Sequence, residues 1–403
     1  MAKKEKAGIR ASFYEMWSRL TCLFEDSDTK KKIYFNGYNN LYPYDVEAVI
    51  SNSPTASRGA KIMAKYISGK GLVDETKDVI VNVKENHKLS NVISFAAESI
   101  ARQYGVFIHV SYGYDGDENT GLKIVPKELK VLDYCQCRKA KEDYNGFDGI
   151  IIQRDWLALT DKAVDKKNVT SEWYYPFNKN QNVVLAQIKK DSEDEDGNPE
   201  QDPVKAIQMY RGQVFYLNLT PSYKYAMPPV SSVYDDADTE ARFAIYTNTQ
   251  FRSGFLGKTA VITQGLDSEQ SKVIEDNLSK FLGSENSGSI FHLDIESTDD
   301  IDKVIKFTQL KGQFDDKLFD SNDARVRRNI LGAFNNVPEP LVLASSSLFG
   351  TSGDTYREMK IFYSEQTEDE RKRLQETFTY LGFPCEIKPM VETTTETQAN
   401  ANT

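Results

Sequence analysis

Histidine is nearly absent from this chain: its 403 residues contain only His87, His109 and His292. None of them neighbours a plausible serine or cysteine nucleophile motif, which argues against Ser-His-Asp and Cys-His catalysis. Cysteine is sparse too, with Cys22, Cys135, Cys137 and Cys385. Four are too few to staple a chain of this size, so a reducing cytoplasm during synthesis is expected. Cys135-Gln-Cys137 reads as a strand with both thiols on one face. A zinc site would need a second ligand pair, and the sequence offers none. Long apolar runs are missing. No segment approaches the roughly 20 residues of a membrane span. The basic start Met1-Ala-Lys-Lys-Glu-Lys is not followed by the apolar stretch of a secretory signal. Positive charge is in deficit: 50 Lys and Arg against 60 Asp and Glu give a net charge of −10. That balance argues against a protein that holds nucleic acid by neutralising its phosphates.

What is present fits a folded protein of two or three domains. Hydrophobic residues make up 39% and charged residues 27% of the chain, within the ordinary globular range. The 22 Tyr and 21 Phe suit either a core or large subunit interfaces.

Residues 12–24 read as a short amphipathic helix, and 33–50 as irregular. Ser53-Pro54 supplies an N-cap and a proline at the first helical position. The helix then carries Ala56, Ala60, Met63 and Ile67 on one stripe and stops at Gly69-Lys70-Gly71. Asn91 reads as the cap of a second helix, Val92 to Tyr104, ended by Gly105. Strands are expected at 106–112, 122–125, 131–137, 149–154, 173–175, 183–188 and 214–219, with an acidic loop from Asp191 to Asp202. Pro228-Pro229 marks a boundary before a long helix from Val233 to about Ser253. A strand (259–263), a helix (268–282) and a strand (289–293) follow, then a helix from Phe314 to Phe334. Thr367-Glu-Asp-Glu370 reads as a capping box opening a final helix. The tail from Glu392 has no apolar periodicity and is expected to be disordered.

Motifs that suggest chemistry fail on inspection. Arg252 to Thr259 nearly matches a phosphate-binding loop, but Arg252 replaces the first glycine, and the segment ends a helix and opens a strand. Ser192, Asp194, Asp196 and Gly197 have calcium-loop spacing, as do Asp115, Asp117 and Asn119. Pro203 and Pro126 occupy the positions that require a bidentate acid. Nothing singles out a carboxylate pair among the 60 acids, so no catalytic residue, cofactor or metal is assigned.

The most informative stretch is Ala344-Ser-Ser-Ser-Leu-Phe-Gly-Thr-Ser-Gly353. It has no charged residue, and no Lys or Arg occurs from Asn329 to Tyr356. The segment is too polar for core and too poor in charge for an ordinary solvated linker. A loop that must sit close to a polyanion without gripping it has these properties.

From residue 50 onward the order of parts resembles that of tailed-bacteriophage portal proteins, the head–tail connectors at the portal vertex. The resemblance rests on the helix ending at Gly69-Lys-Gly71, the helix followed by Tyr104-Gly105 and a β-rich region, and the Pro228 entry to a long helix. The strand–helix–strand unit at 259–293, the helix running into Val337-Pro338, and the uncharged loop with its following helix complete the series. It covers about 330 residues, and its specificity lies in the ordered series, not in any one motif.

The resemblance implies an α+β portal-protein fold with a β-rich wing, two long stem helices, a small α/β clip, a tunnel loop and a minimal helical crown. By analogy, 1–24 is an N-terminal arm, 25–232 the wing, 233–253 the first stem helix, 254–312 the clip and 313–337 the second stem helix. The tunnel loop is 338–353, the helix toward the crown 354–383, and the disordered tail 384–403. It implies that Ser345, Ser346, Ser347, Leu348, Phe349, Gly350, Thr351, Ser352 and Gly353 line a DNA channel. It further implies that Lys272, Glu275, Asp276, Lys280 and Glu285 of the clip dock the large terminase transiently, and later a head–tail adaptor or neck protein. Arg325, Arg327 and Arg328 either face the channel or pair with Asp320 and Asp323 of a neighbouring subunit, the pairing being the expectation. Such proteins form homo-oligomeric rings, usually of twelve, meet the major capsid protein and pass double-stranded DNA non-specifically. They are not enzymes, do not contact membrane, assemble in the host cytoplasm and end in the virion. The rival readings are another head–neck or minor capsid structural protein without a DNA channel, and a carboxylate-dependent hydrolase.

Overall fold

The computed structural model describes residues 33–116, 123–140, 149–160, 169–253, 258–263, 305–310, 316–342 and 353–391. The chain divides into two compact units, one built from residues before Asp235 and after Arg328, the other from Asp235–Arg328. Both helices and strands are extensive, so the α+β expectation holds at that level. The expected arm at 1–24 lies outside the described residues.

The first unit opens with α1 (Tyr42–Asn52), where the sequence reading expects irregular chain. Pro43 sits in the first turn, and Val46, Val49 and Ile50 are buried at helical spacing, a stripe concealed by the Tyr- and Asn-rich context. In α2 (Pro54–Ser68) the Ser53 hydroxyl accepts from the Ala56 N–H at 3.1 Å, and Ala56, Ala60, Met63 and Ile67 are buried as expected. After β1 (Ile80–Asn82) and β2 (His87–Lys88), α3 runs Leu89–Gln103. Asn91 is not its cap, as the sequence reading has it. It lies in the first turn, and its Oδ1 accepts from the Lys88 N–H at 3.1 Å.

A six-stranded sheet forms the β region, in the order β4-β3-β8-β7-β6-β5. Its strands are β3 (Gly105–Asp115), β4 (Lys123–Leu132), β5 (Cys137–Lys139), β6 (Ile151–Arg154), β7 (Ser171–Pro176) and β8 (Gln213–Asn218). Only β7 and β8 run parallel. The strands expected at 122–125 and 131–137 are corrected: Lys123–Leu132 is one strand, with a register shift where Ser111 faces Glu128 and Tyr112 faces Pro126. Proline is tolerated in a strand at such a bulge. Cys135 therefore lies in a turn, and Cys137 opens β5. Both thiols are buried and free, and burial raises their pKa well above the ordinary thiol value.

The strand expected at 183–188 is also corrected. Gln181–Asp191 is helix α4, capped by Asn180, whose side chain accepts from the Asn182 N–H, with Val184, Gln187 and Ile188 buried on one side. Pro203, which defeats the calcium-loop reading, is the first residue of α5 (Pro203–Met209), capped by Asp202. Asp194 Oδ1 accepts from the Asp196 and Asn198 N–H groups, as in a local turn.

Arg138 is fully buried, with no carboxylate paired to it among the described residues. Its guanidinium donates to Asn40 Oδ1 and O and to the Cys135 and Cys137 carbonyls, the last three at 2.7–2.9 Å. This ties the 36–40 turn to β5.

Beyond Arg328 the chain rejoins the first unit. Residues 354–383, expected as a helix leading to a crown, form two helices within this unit, α9 (Gly353–Gln366) and α10 (Glu368–Tyr380). The latter packs on α2 and α3, and its Tyr380 ring contacts Phe177 and Phe215. Of the expected tail at 384–403, residues 384–391 are instead built into the unit. Lys388 exchanges hydrogen bonds with Lys70 and Gly71, both at 2.8 Å, and the Val73 N–H donates to the Glu386 carbonyl at 2.9 Å. Cys385 and Ile387 are buried there. Residues 392–403 lie outside the described residues.

The second unit contains α6 (Tyr234–Ser253, from Asp235), β9 (Lys258–Thr263), β10 (Ile305–Leu310) and α7 (Asp316–Ala333, to Arg328). β9 and β10 pair antiparallel from Lys258↔Leu310 to Thr263↔Ile305. The sequence reading has β9 but not β10. Its helix at 268–282 and strand at 289–293 lie outside the described residues.

Candidate functional site

Two helices bound the second unit. The chain enters it along α6, whose first turns are acidic (Asp235, Asp236, Asp238, Glu240), and leaves along α7, which carries Arg325, Arg327 and Arg328. Acidic residues near a helix N-terminus are favoured by its dipole. Arg242 reaches back one turn to Asp238 at 2.6 Å.

The structure brings together part of the arginine cluster expected from sequence. Arg327 pairs with Asp323 one turn earlier on α7, at 2.8 Å. Arg325 lies 3.7 Å from Asp236 on α6, a residue the sequence reading did not single out. Such solvent-accessible pairs contribute about 0–1 kcal/mol each, so they set charge balance more than stability. Arg328 is exposed. Asp320 lies on α7, and its side chain is outside the described residues.

Where α7 ends, the chain turns through Asn335 and Asn336, both left-handed at φ 57° and 55°. The Asn335 side chain donates to the Gln366 carbonyl at 3.0 Å and to Glu370 Oε1 at 2.9 Å. Glu370 Oε1 also accepts from the Tyr104 hydroxyl at 2.7 Å. Tyr363 donates to the Phe334 carbonyl at 2.9 Å. Burial, and then the Glu370 bond, raise the Tyr104 pKa well above its ordinary value, so it stays a donor. The Gly59 position on α2 admits the Phe334 ring, since a Cβ there would sit 2.9 Å from it.

The capping box expected at Thr367–Glu370 is therefore corrected. Thr367 donates its hydroxyl to the Tyr363 carbonyl at 3.0 Å and caps nothing, while Glu370 joins α3, α7 and α10. No local motif marks Tyr104 or Asn335 as its partners, because they lie far from it in sequence.

These contacts anchor both flanks of the uncharged segment. Before it stand the end of α7 and α8 (Glu339–Val342); after it comes α9, of which Gly353 is the first residue. Ser345, Ser346, Ser347, Leu348, Phe349, Gly350, Thr351 and Ser352 lie outside the described residues, as do Lys272, Glu275, Asp276, Lys280 and Glu285. Among the described residues no group of three or more His, Cys, Asp or Glu side chains is placed to hold a metal ion. No described helix is long and apolar enough to cross a membrane.

No family model matches the sequence, and no curated protein matches it. Among solved structures, the chain is similar to one from the neck of an empty GTA particle computed with C6 symmetry, at 14% identity and TM-score 0.46, covering 87% of this chain and 85% of that one. It is similar to a chain from the neck of a native GTA particle computed with C12 symmetry, at 14% identity and TM-score 0.44, covering 86% and 84%. A third similarity is to a chain of the virion of a native gene transfer agent (GTA) particle, at 13% identity and TM-score 0.43, covering 87% and 85%.

Proposed function

We propose that this chain is a phage-type portal protein: a non-enzymatic subunit of a closed homo-oligomeric ring, twelve-fold as the resemblance to portal proteins implies, that forms a DNA channel at one capsid vertex. The observation that carries the reading is the excursion Asp235–Arg328. It forms a compact unit of its own, entered along one long helix, left along another and containing a paired strand from each side. A stem with a clip at its tip requires that arrangement.

The charge pattern supports the same reading. DNA that must slide in both directions is slowed by cationic walls, because each neutralised phosphate deepens a local well. Arg325 and Arg327 are matched by Asp236 and Asp323, and the segment 344–353 carries no charge. Residues 254–310 hold five lysines against ten carboxylates, which suits docking of a separate packaging ATPase better than gripping DNA. In this reading Ser345–Gly353 line the channel, and Lys272, Glu275, Asp276, Lys280 and Glu285 meet the terminase and then the neck. The particle is assembled in a host cytoplasm, and the ring remains in the virion.

Negative-stain electron microscopy of the purified protein tests the proposal. Rings with a central hole, twelve-fold or within one subunit of it, are expected. A monodisperse monomer or dimer at micromolar concentration that also fails to form rings with capsid protein would overturn it.

A further inference from the structure

Two surfaces of the first unit expose apolar side chains. On and beside the β1–β2 hairpin, Val79, Ile80 and Val83 are 49–71% exposed, although β-branched residues suit a half-buried sheet surface. On α4 and α5, Leu185, Val204 and Met209 are 39–59% exposed. A single exposed apolar side chain is ordinary, whereas several on one short element mark an interaction surface.

The two surfaces differ in charge. From Val79 to Phe95 there are two lysines, Lys84 and Lys88, and one acid, Glu85. Glu85 is held by Lys130 of β4 at 2.8 Å, and both lysines are exposed. From Gln181 to Tyr210 seven carboxylates outnumber three lysines. Asp191 is bound by Arg211 at 3.0 Å and Glu193 by Lys190 at 2.7 Å, while Glu195 and Asp196 are exposed. Among the described residues Lys84, Lys88, Glu195 and Asp196 have no ion-pair partner.

One chain cannot bring these surfaces together. The hairpin reaches β4 at Lys130, whereas α4 and α5 reach it at Ile124, which packs with Val184, Ile188 and Ala206. Along the strand those points are about 20 Å apart. A ring of more than two subunits closes head to tail, so each subunit must present two different surfaces that fit one another. We propose that the hairpin of one subunit docks on α4 and α5 of the next copy, with Lys84 and Lys88 against Glu195 and Asp196 and the apolar side chains buried between them. The inference rests on the ring reading and names a surface pair that closes the ring.

Mass photometry of the full chain over a concentration series, with rings counted by negative stain, tests it. Lys84→Glu with Lys88→Glu, and separately Glu195→Lys with Asp196→Lys, should each raise the half-assembly concentration about 10-fold, the effect of turning two screened attractions into repulsions. Combining all four substitutions restores opposite charge across the contact and should bring assembly back to within about 3-fold of wild type. Urea unfolding of the subunit should stay unchanged, because all four side chains are exposed. If wild-type rings form and every variant assembles at the same concentration, these surfaces serve another partner, and the inference falls while the ring reading stands. Two weakened pairs without recovery in the combined variant would also overturn it, because each surface then meets something other than its proposed mate. A wild type that forms no ring removes the ring reading, and the inference with it.

Discussion

Replacing Gly69 by alanine should destabilise the first unit far more than the same change at Gly71, two residues on. Gly69 has φ +64° and ψ −151°, a backbone region that side-chain-bearing residues avoid at a cost of about 1–3 kcal/mol. A Cβ there would also lie 2.0 Å from the Lys388 carbonyl oxygen and 3.0 Å from Ile387 Cγ2. The first of these contacts is with backbone and cannot be relieved by a rotamer change. Residues 387 and 388 must move away, taking with them the two 2.8 Å bonds that join Lys388 to Lys70 and Gly71. At about 0.5–1.5 kcal/mol net for each bond, this adds roughly 1–3 kcal/mol. Gly71 also has positive φ, at +100°, but nothing lies within 4 Å of its would-be Cβ. Alanine there carries conformational strain alone, partly offset by about 0.4–1 kcal/mol from the less flexible unfolded chain.

Urea unfolding of the two variants should therefore separate them by at least about 1 kcal/mol, with G69A the weaker. Hydrogen exchange should show the Lys70 and Lys388 amides losing protection in G69A and keeping it in G71A. If G69A is no less stable than G71A, or if its Lys388 amide stays protected, residues 384–391 are not held as the structure has them.

Two further outcomes follow from the chemistry already described. Arg138→Lys replaces a planar fork by a single ammonium, which cannot reach both Asn40 and the Cys135 and Cys137 carbonyls; it should cost about 2–4 kcal/mol in urea unfolding, and a loss under about 1 kcal/mol would show that water replaces the fork. In the portal reading, Ser346→Lys with Ser352→Lys should slow DNA packaging or stall ejection while rings still assemble, and unchanged packaging at low salt, where phosphate attraction is strongest, would remove the segment from the DNA path.

What could be read from the sequence was local. The Ser53-Pro54 cap, the stripe of α2 and the long α6 each depend on residues within a few positions of one another, whereas α7 ends at Ala333, before the left-handed Asn335 and Asn336 and short of the expected stop at Val337-Pro338. The failures came where local signals conflicted or where tertiary contacts decided. Val183, Val184 and Ile188 suggested a strand, yet the Asn180 cap and the burial of Gln187 beside Ile188 make the segment helical. Glu370 fits a capping box by spacing, yet its partner Tyr104 is 266 positions away. The same contrast divides the candidate site. The Asp323–Arg327 pair is local, one helical turn apart, yet the sequence reading places the partners of these arginines in a neighbouring subunit and does not expect the bond within one chain. The Asp236–Arg325 pair joins helices separated by the whole inserted unit and has no sequence signature.

Glu370 offers a test of how firmly the uncharged segment is anchored. Its carboxylate is 6% exposed, with Oε1 shared by Tyr104 and Asn335 and Oε2 without a partner. An acceptor is needed on one side only; Oε2 accepts nothing, and the charge acts at a distance, on Arg371. Glutamine keeps the required acceptor and removes the buried charge, so Glu370→Gln should be within about 1 kcal/mol of wild type. Alanine strands the half-buried Tyr104 hydroxyl, leaves the Asn335 amide only its Gln366 bond and opens a void, so Glu370→Ala should cost about 2–4 kcal/mol. The loss should be felt first at the left-handed Asn335, whose conformation is held in part by this bond. Amide exchange at Asn336 and Val337, whose N–H groups donate to Gly332 and Leu331, would report it. Faster exchange there in Glu370→Ala but not in Glu370→Gln would establish the acceptor as the anchor. Equal exchange in both variants would show that the Tyr363–Phe334 bond holds the turn without it.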